Sequence, residues 1–225
     1  MKLLRDKFVV NDIEIPCITI ENGQSRFSAI VVHGYGGNKE EMLGLSFAVS
    51  EAGMNVYTID LRGHGENSCP YDGEVFEDFI QIVKLLSAKG KVIAIGHSLG
   101  GRLALLSDAD IRIGISPALS RVFSEQTVSA LNNLRKYRVR ESAENVNSMV
   151  VKDLPLAENN LKSSDLVLYG TRDVPEIKAS CSELKKTFDN VLEIPNALHS
   201  DIVSLNATFQ TVKKFITHTM GIEKD

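Results

Sequence analysis

The stretch Lys91-Val92-Ile93-Ala94-Ile95-Gly96-His97-Ser98-Leu99-Gly100-Gly101 governs how the rest of the chain is read. Its first half is an apolar, partly β-branched run, which reads as a strand buried on both faces. From Leu99 to Ser107 the spacing turns helical, so the chain passes from strand to helix within a few residues. A serine at the apex of such a turn sits on a strained backbone that lifts its Oγ clear of the sheet. Side chains at positions 96 and 100 would collide where strand and helix pass closely, which accounts for glycine at both. The pattern G-x-S-x-G in a strand–turn–helix setting marks Ser98 as a candidate nucleophile. The competing reading is a glycine-rich turn with a capping serine.

Outward from this turn, strand-like runs alternate with helical ones. Candidate strands are Ala29–His33, Asn55–Asp60, Val92–Gly96, Ile111–Ser116, Leu166–Gly170 and Val191–Ile194. Phe76, Phe79, Ile80, Val83 and Leu86 form one helical apolar stripe, and Ile202, Leu205, Phe209, Val212 and Ile216 form another. The alternation predicts an α/β fold with a mostly parallel sheet. Before it, Lys7–Val10 and Ile13–Ile20 read as a hairpin turning at Asn11–Asp12 on the sheet edge. Almost fifty residues separate Ser116 from Leu166 without a clear strand, where a crossover needs about a dozen. Leu119, Val122, Phe123, Ala130, Leu131 and Leu134 give an apolar face there, with a helix ending near Leu134. Residues 119–163 are therefore expected to form a small helical cap between the sixth and seventh strands of a single domain, 1–225.

Bulk composition narrows the classes. With 225 residues, 43% hydrophobic and 24% charged, the chain is ordinary for a soluble globular protein. A net charge of -4 and a pI near 5.8 argue against nucleic acid. No apolar run approaches a membrane span, and Met1–Val10 has no room for a secretory signal, so a cytoplasmic protein is expected. Cys17, Cys69 and Cys181 are too few and too scattered for a disulfide framework and read as reduced thiols without a chemical role.

A nucleophilic serine needs a base, and the base an orienting group. Of the five histidines, His33 ends an early strand, His64 lies in the Arg62–Gly65 turn, His97 flanks the serine and His218 falls late in the last helix. His199 follows the last strand, in the loop Asn196–Ser200, where parallel sheets gather their ligands. Asp173 follows the seventh strand and completes the chain order Ser…Asp…His. Asp165 is at the wrong end of that strand; Glu176 is the rival and reads as first-turn helix charge. An oxyanion would find one donor in the N–H of Leu99 and another in the loop His33-Gly34-Tyr35-Gly36-Gly37. A phosphate-binding reading of that loop fails because Lys39 stands where G-x-G-x-x-G needs its last glycine.

The His-Gly-x-Gly-Gly loop, the turn Asp60-Leu61-Arg62-Gly63-His64-Gly65, the Gly-His-Ser-x-Gly-Gly turn and the late Asp and His together resemble the α/β-hydrolase superfamily. More narrowly they are similar to its esterase, monoacylglycerol-lipase and serine-aminopeptidase branch, over Ala29 to about Ile216. The resemblance implies an eight-stranded, mostly parallel sheet with the cap after the sixth strand. It implies Ser98 as nucleophile, Asp173 as acid, His199 as base and the Tyr35 and Leu99 amides as oxyanion hole, and a structural role for Asp60–Gly65. Pro175 stands one position nearer the acid than is usual in this branch, and the cap is shorter than in many relatives. The implied activity is hydrolysis of a small-molecule carboxylic ester through an acyl-enzyme, with no metal or organic cofactor. Aminopeptidase or amidase, thioesterase and C–C hydrolase chemistry stay open, as does a binding protein on the same fold. Arg135, Lys136, Arg138 and Arg140 form a basic cluster after the cap helix. It reads as a solvated run, or more sharply as an attractor of carboxylate-bearing esters, with Arg138 and Arg140 on one face if the run is extended.

Overall fold

The computed structural model describes residues 1–23, 25–140, 154–155 and 157–221. Eight strands form one sheet: β1 Lys2–Val10, β2 Ile13–Glu21, β3 Phe27–Val32, β4 Asn55–Ile59, β5 Lys91–His97, β6 Ile111–Ile115, β7 Leu166–Arg172 and β8 Val191–Leu198. Their spatial order is β1-β2-β4-β3-β5-β6-β7-β8. The β1–β2 and β2–β4 pairs are antiparallel and all others parallel. Among the described residues the α-helices are α1 Leu43–Ser50, α2 Val75–Ser87, α3 Leu99–Leu106, α4 Glu125–Arg138, α5 Pro175–Leu184 and α6 Asn206–Thr219.

The near-continuous apolar runs of the central strands follow from burial on both faces. Ala29, Val31, Ile93 and Ile95 pack with Leu45 and Val49 of α1 and with Val212 and Ile216 of α6. Their neighbours Ile30, Val32, Val92 and Ala94 point the other way, onto Phe79 and Val83 of α2 and Leu103 of α3. Beside that second layer, Ile177, Cys181 and Leu184 of α5 cover Val167, Tyr169 and Val191.

Four expectations change. The hairpin is longer than read, since β1 begins at Lys2 and pairs with β2 through Lys2↔Glu21. Strand β8 runs past Ile194 to Leu198 with a register shift opposite Gly170–Arg172, so little of the expected loop before His199 remains. The final apolar stripe is not one helix: Ile202–Ser204 is a 3₁₀ turn, Leu205 is extended, and α6 starts at Asn206. Helix α4 runs to Arg138 rather than ending near Leu134, and it begins at Glu125 because Ser124 caps it, accepting from the Thr127 N–H. Val122 therefore precedes the helix and is exposed. Of the expected cap, residues 141–153 and 156 lie outside the described residues.

Arg102 of α3, with no exposed surface, holds both ends of the β6–β7 connection. Its guanidinium donates to the carbonyls of Ala118 (2.9 Å) and Leu119 (3.5 Å) on the outgoing chain. It also donates to those of Leu154 (2.7 Å) and Pro155 (3.0 Å) on the return.

Candidate active site

Ser98 stands between β5 and α3 with φ 52° and ψ -112°, a conformation few non-glycine residues adopt. The strand and helix cross there with no room to spare. A Cβ on Gly96 would lie 2.0 Å from the Gly100 carbonyl oxygen, and one on Gly100 would lie 2.5 Å from that of His33. The Ser98 N–H donates to the Ile115 carbonyl (2.9 Å), which ties the turn to the end of β6.

Three expected residues meet. Ser98 Oγ is 3.1 Å from His199 Nε2, and His199 Nδ1 is 2.8 Å from Asp173 Oδ1. An ionised carboxylate only accepts, so His199 carries its proton on Nδ1 and presents the Nε2 lone pair to the serine hydroxyl. The Asp173 side chain is fully buried. Burial alone would raise its carboxyl; the bond and charge of His199, then the donors Ser116 and Gly170 N–H, outweigh that and hold it below the ordinary aspartate value. Glu176 is elsewhere: it accepts from the Ser124 N–H (2.6 Å) and so joins α5 to the start of α4. Asp165 pairs with Arg112 and also accepts from the Lys162 N–H (2.6 Å).

Two residues beyond the expected set touch this chain. Ser116, at the end of β6, donates its hydroxyl to Asp173 Oδ2. His97 donates Nε2–H to the His199 carbonyl (2.9 Å), its ring 4.8 Å from that of His199. Burial and then the neighbouring His199 lower His97 to about 3, so it stays neutral. Neither contact has a sequence signature of its own; His97 sits at the variable position of the serine motif.

The loop after β3 lies directly against the serine, for a Cβ on Gly34 would lie 3.0 Å from Ser98 Cβ. His33 orients this loop. Its Nε2 accepts from the Leu61 N–H (3.2 Å), so Nδ1 holds the proton and donates to the Gly34 carbonyl (2.7 Å). The Gly37 N–H donates to the same oxygen (3.0 Å). The turn from Asp60 to Gly65 supports it from below: Asp60, wholly buried, accepts from Lys39 Nζ (2.6 Å), Lys39 N–H (2.8 Å) and Glu66 N–H (2.9 Å).

Ser98 and His199 open on a cavity of about 660 Å³. Its walls include Tyr35 and Leu99, and Ala130, Leu131 and Leu134 of α4. Arg138 also lines it, paired with Glu41 (3.0 Å) and donating to the Gly36 carbonyl (3.3 Å). Arg140 does not; its guanidinium caps the carbonyls of Gly65 (2.9 Å) and Asn67. The two arginines therefore do not share a face toward substrate. Lys136 is on the outer side of α4, and the Arg135 side chain lies outside the described residues. Among the described residues no three His, Cys, Asp or Glu side chains are grouped to hold a metal ion, and no helix is long and apolar enough to cross a membrane.

Residues 29–175 match the Alpha/beta hydrolase family. This chain belongs to that family. Its sheet order and helix layers are those of the α/β-hydrolase fold, and esterases are among the solved structures that share it. Est1E from Butyrivibrio proteoclasticus, solved with ferulic acid bound, superposes with a TM-score of 0.75 at 16% identity, over 96% of this chain and 99% of that one. A carboxylesterase of the thaumarchaeon Nitrososphaera gargenis gives 0.74 at 13% identity, over 97% and 100%. A probable alcohol acetyltransferase of Saccharomyces cerevisiae is 32% identical over 117 residues, 47% of this chain. The match spans only 34% of that relative's length. This α/β hydrolase thus shares its fold with carboxylesterases.

Proposed function

We propose that this α/β hydrolase is a serine hydrolase that cleaves carboxylic esters of small molecules through an acyl-enzyme on Ser98. The observation that carries the reading is the unbroken chain Ser98 Oγ–His199 Nε2, His199 Nδ1–Asp173 Oδ1, at 3.1 and 2.8 Å, opening on a largely apolar cavity. His199 takes the serine proton as Oγ attacks the ester carbonyl, and Asp173 stabilises the imidazolium and its tautomer. The tetrahedral oxyanion is received by backbone amides. Leu99 is the first residue of α3, where an N–H has no intrahelical acceptor. Tyr35 supplies the second: the Gly34 carbonyl is drawn to His33 and Gly37, and across a trans peptide the Tyr35 N–H faces the other way. His199 then returns its proton to the leaving alcohol, and water repeats the cycle on the acyl-enzyme.

Residues 119–163 act in this reading as a cap, supported by α4 walling the cavity with Ala130, Leu131 and Leu134. A fluorophosphonate probe should label the protein once, at Ser98, and Ser98→Ala should abolish labelling and nearly all ester turnover. Stoichiometric labelling of Ser98→Ala would overturn the assignment. Transfer of the acyl group to an alcohol instead of water is a second reading, favoured by the partial match to the yeast acetyltransferase. Adding ethanol to the ester assay separates the two: transfer yields an ethyl ester at the expense of free acid.

A further inference from the structure

We propose that Ser116 is a positioning residue of this site, its hydroxyl locking the Asp173 carboxylate that orients His199. The inference rests on the reading of Asp173 as the orienting acid. Ser116 follows β6 with φ 47°, in the left-handed region where a side chain is disfavoured. Such a backbone persists only where its surroundings fix it. Here the Ser116 N–H donates to the Leu168 carbonyl of β7 (2.6 Å), while the residue before it accepts the Ser98 N–H. Ser116 is thus the joint between the serine turn and the acid loop. It has no exposed surface and does not line the cavity.

The two oxygens of Asp173 are unequally served. Oδ1 accepts from His199 Nδ1 and from the Val174 N–H, both at 2.8 Å. Oδ2 has Ser116 Oγ and the Gly170 N–H, the latter at 3.3 Å. Because the ionised carboxylate cannot donate, the Ser116 hydroxyl must. Removing it leaves Oδ2 with one long bond. The carboxylate is then freer to rotate, so His199 is held less firmly and the chemical step slows. Its charge is also less shared, which favours the imidazolium and moves the acid limb of kcat/KM to higher pH. Substrate binding should not change.

The surrounding groups leave that limb legible. His97, in ring contact with His199, and His33 behind it are lowered by burial to about 3 and about 4. The Cys181 thiol of α5 is pushed up by burial and by Asp173. Glu176 and Asp201 are engaged by the backbone N–H groups of Ser124 and Leu198. Arg138 and Glu41 pair with each other on the far wall.

The experiment measures kcat, KM and the pH profile of kcat/KM on a short-chain p-nitrophenyl ester for Ser116→Ala and Ser116→Gly. Both should lower kcat about tenfold, the scale of one charge-assisted hydrogen bond, with KM within about twofold. Both should raise the acid limb by about half a pH unit. Glycine relieves the left-handed strain, so a residue that merely shaped the backbone would be rescued by it. In an Asp173→Asn background, Ser116→Ala should add little, since both act through the same group. Wild-type kcat with an unshifted limb in Ser116→Gly would overturn the proposal while leaving the serine-hydrolase reading intact. An active Ser98→Ala protein would instead remove the reading on which it stands.

Discussion

Acidification from pH 7 to pH 5 tests the surroundings of His33 and His64, which are 1% and 0% exposed. Their rings lie 5.0 Å apart, and Tyr35 and Tyr71 each approach His64 edge-on at 5.4 Å. His33 has no spare nitrogen, one donating to Gly34 and the other accepting from Leu61. His64 Nδ1 donates to the Arg62 carbonyl (2.6 Å), while its Nε2 has no hydrogen-bond partner among the described residues. A proton there would enter an aromatic pocket with nothing to accept it. Burial first, and for His64 also the neighbouring His33, lowers the two to about 4 and about 3 from 6.5. Between those values the unfolded chain binds more protons than the native one, so stability is full above pH 6.5 and is lost as pH falls. At pH 7 the unfolded histidines are about a quarter protonated and at pH 5 nearly fully. Integrating at about 1.4 kcal/mol per pH unit per proton gives about 2 kcal/mol each, about 4 together. That is a large share of a typical domain's total of about 5–15 kcal/mol. Urea unfolding at both pH values, for wild type and His64→Gln, isolates one of the two. The gap between the proteins should shrink by about 2 kcal/mol at pH 5, because the variant no longer carries that proton linkage. A gap that stays constant across pH would refute the reasoning, whatever its size.

Asp173→Asn should lower kcat by about four orders of magnitude through the wrong tautomer of His199. Glu176→Gln should leave kcat within a few-fold, since Glu176 holds the Ser124 N–H and not the imidazole. Arg102→Met should destabilise the protein by about 3–5 kcal/mol in denaturant melts, because buried carbonyls lose their donor. Gly96→Ala should give little folded protein on expression, its Cβ meeting the Gly100 carbonyl at 2.0 Å. Arg140→Gln should lower Tm without changing the ratio of kcat/KM for carboxylate-bearing and neutral esters, as Arg140 caps backbone carbonyls outside the cavity.

What was legible in the sequence was what is local or buried on two sides. The serine turn announces itself because steric crowding demands glycine on both flanks, and β3, β5 and β7 are read from runs that must be apolar on both faces. The edge strands read shorter than they are because they lack that pressure. In β8 only Val191, Ile194 and Ala197 are buried, and Pro195 and Asn196 interrupt the pattern at the sheet's last strand, where proline is tolerated. In β1 only Val10 is buried. The order of Ser, Asp and His carried enough information to bring three residues together. It could not point to Ser116, since a serine after a strand is commonplace and only its φ and its contact with Asp173 distinguish it. Spacing also failed for Arg138 and Arg140: a helix that continues four residues further sends one to the cavity and leaves the other on the Gly65 turn.

The double grip of Arg102 bears on how this protein could acquire a new specificity. The outgoing chain at Ala118 and the returning chain at Leu154 are pinned to the same buried guanidinium on α3, one turn behind Ser98. The stretch between them is therefore closed at its root by α3, with its own Arg121 adding a bond to the Leu154 carbonyl (3.0 Å). For a closed loop the entropic penalty grows only with the logarithm of length, about 0.6 kcal/mol for each doubling. Changes within this stretch that spare Ser124, Arg138 and Arg140, which hold Glu176, the Gly36 carbonyl and the Gly65 turn, should then leave the sheet and the Ser98–His199–Asp173 geometry in place. A segment that contributes much of the cavity wall is, with its root held in this way, open to variation in evolution and in the laboratory wherever it does not itself grip the fold beneath it.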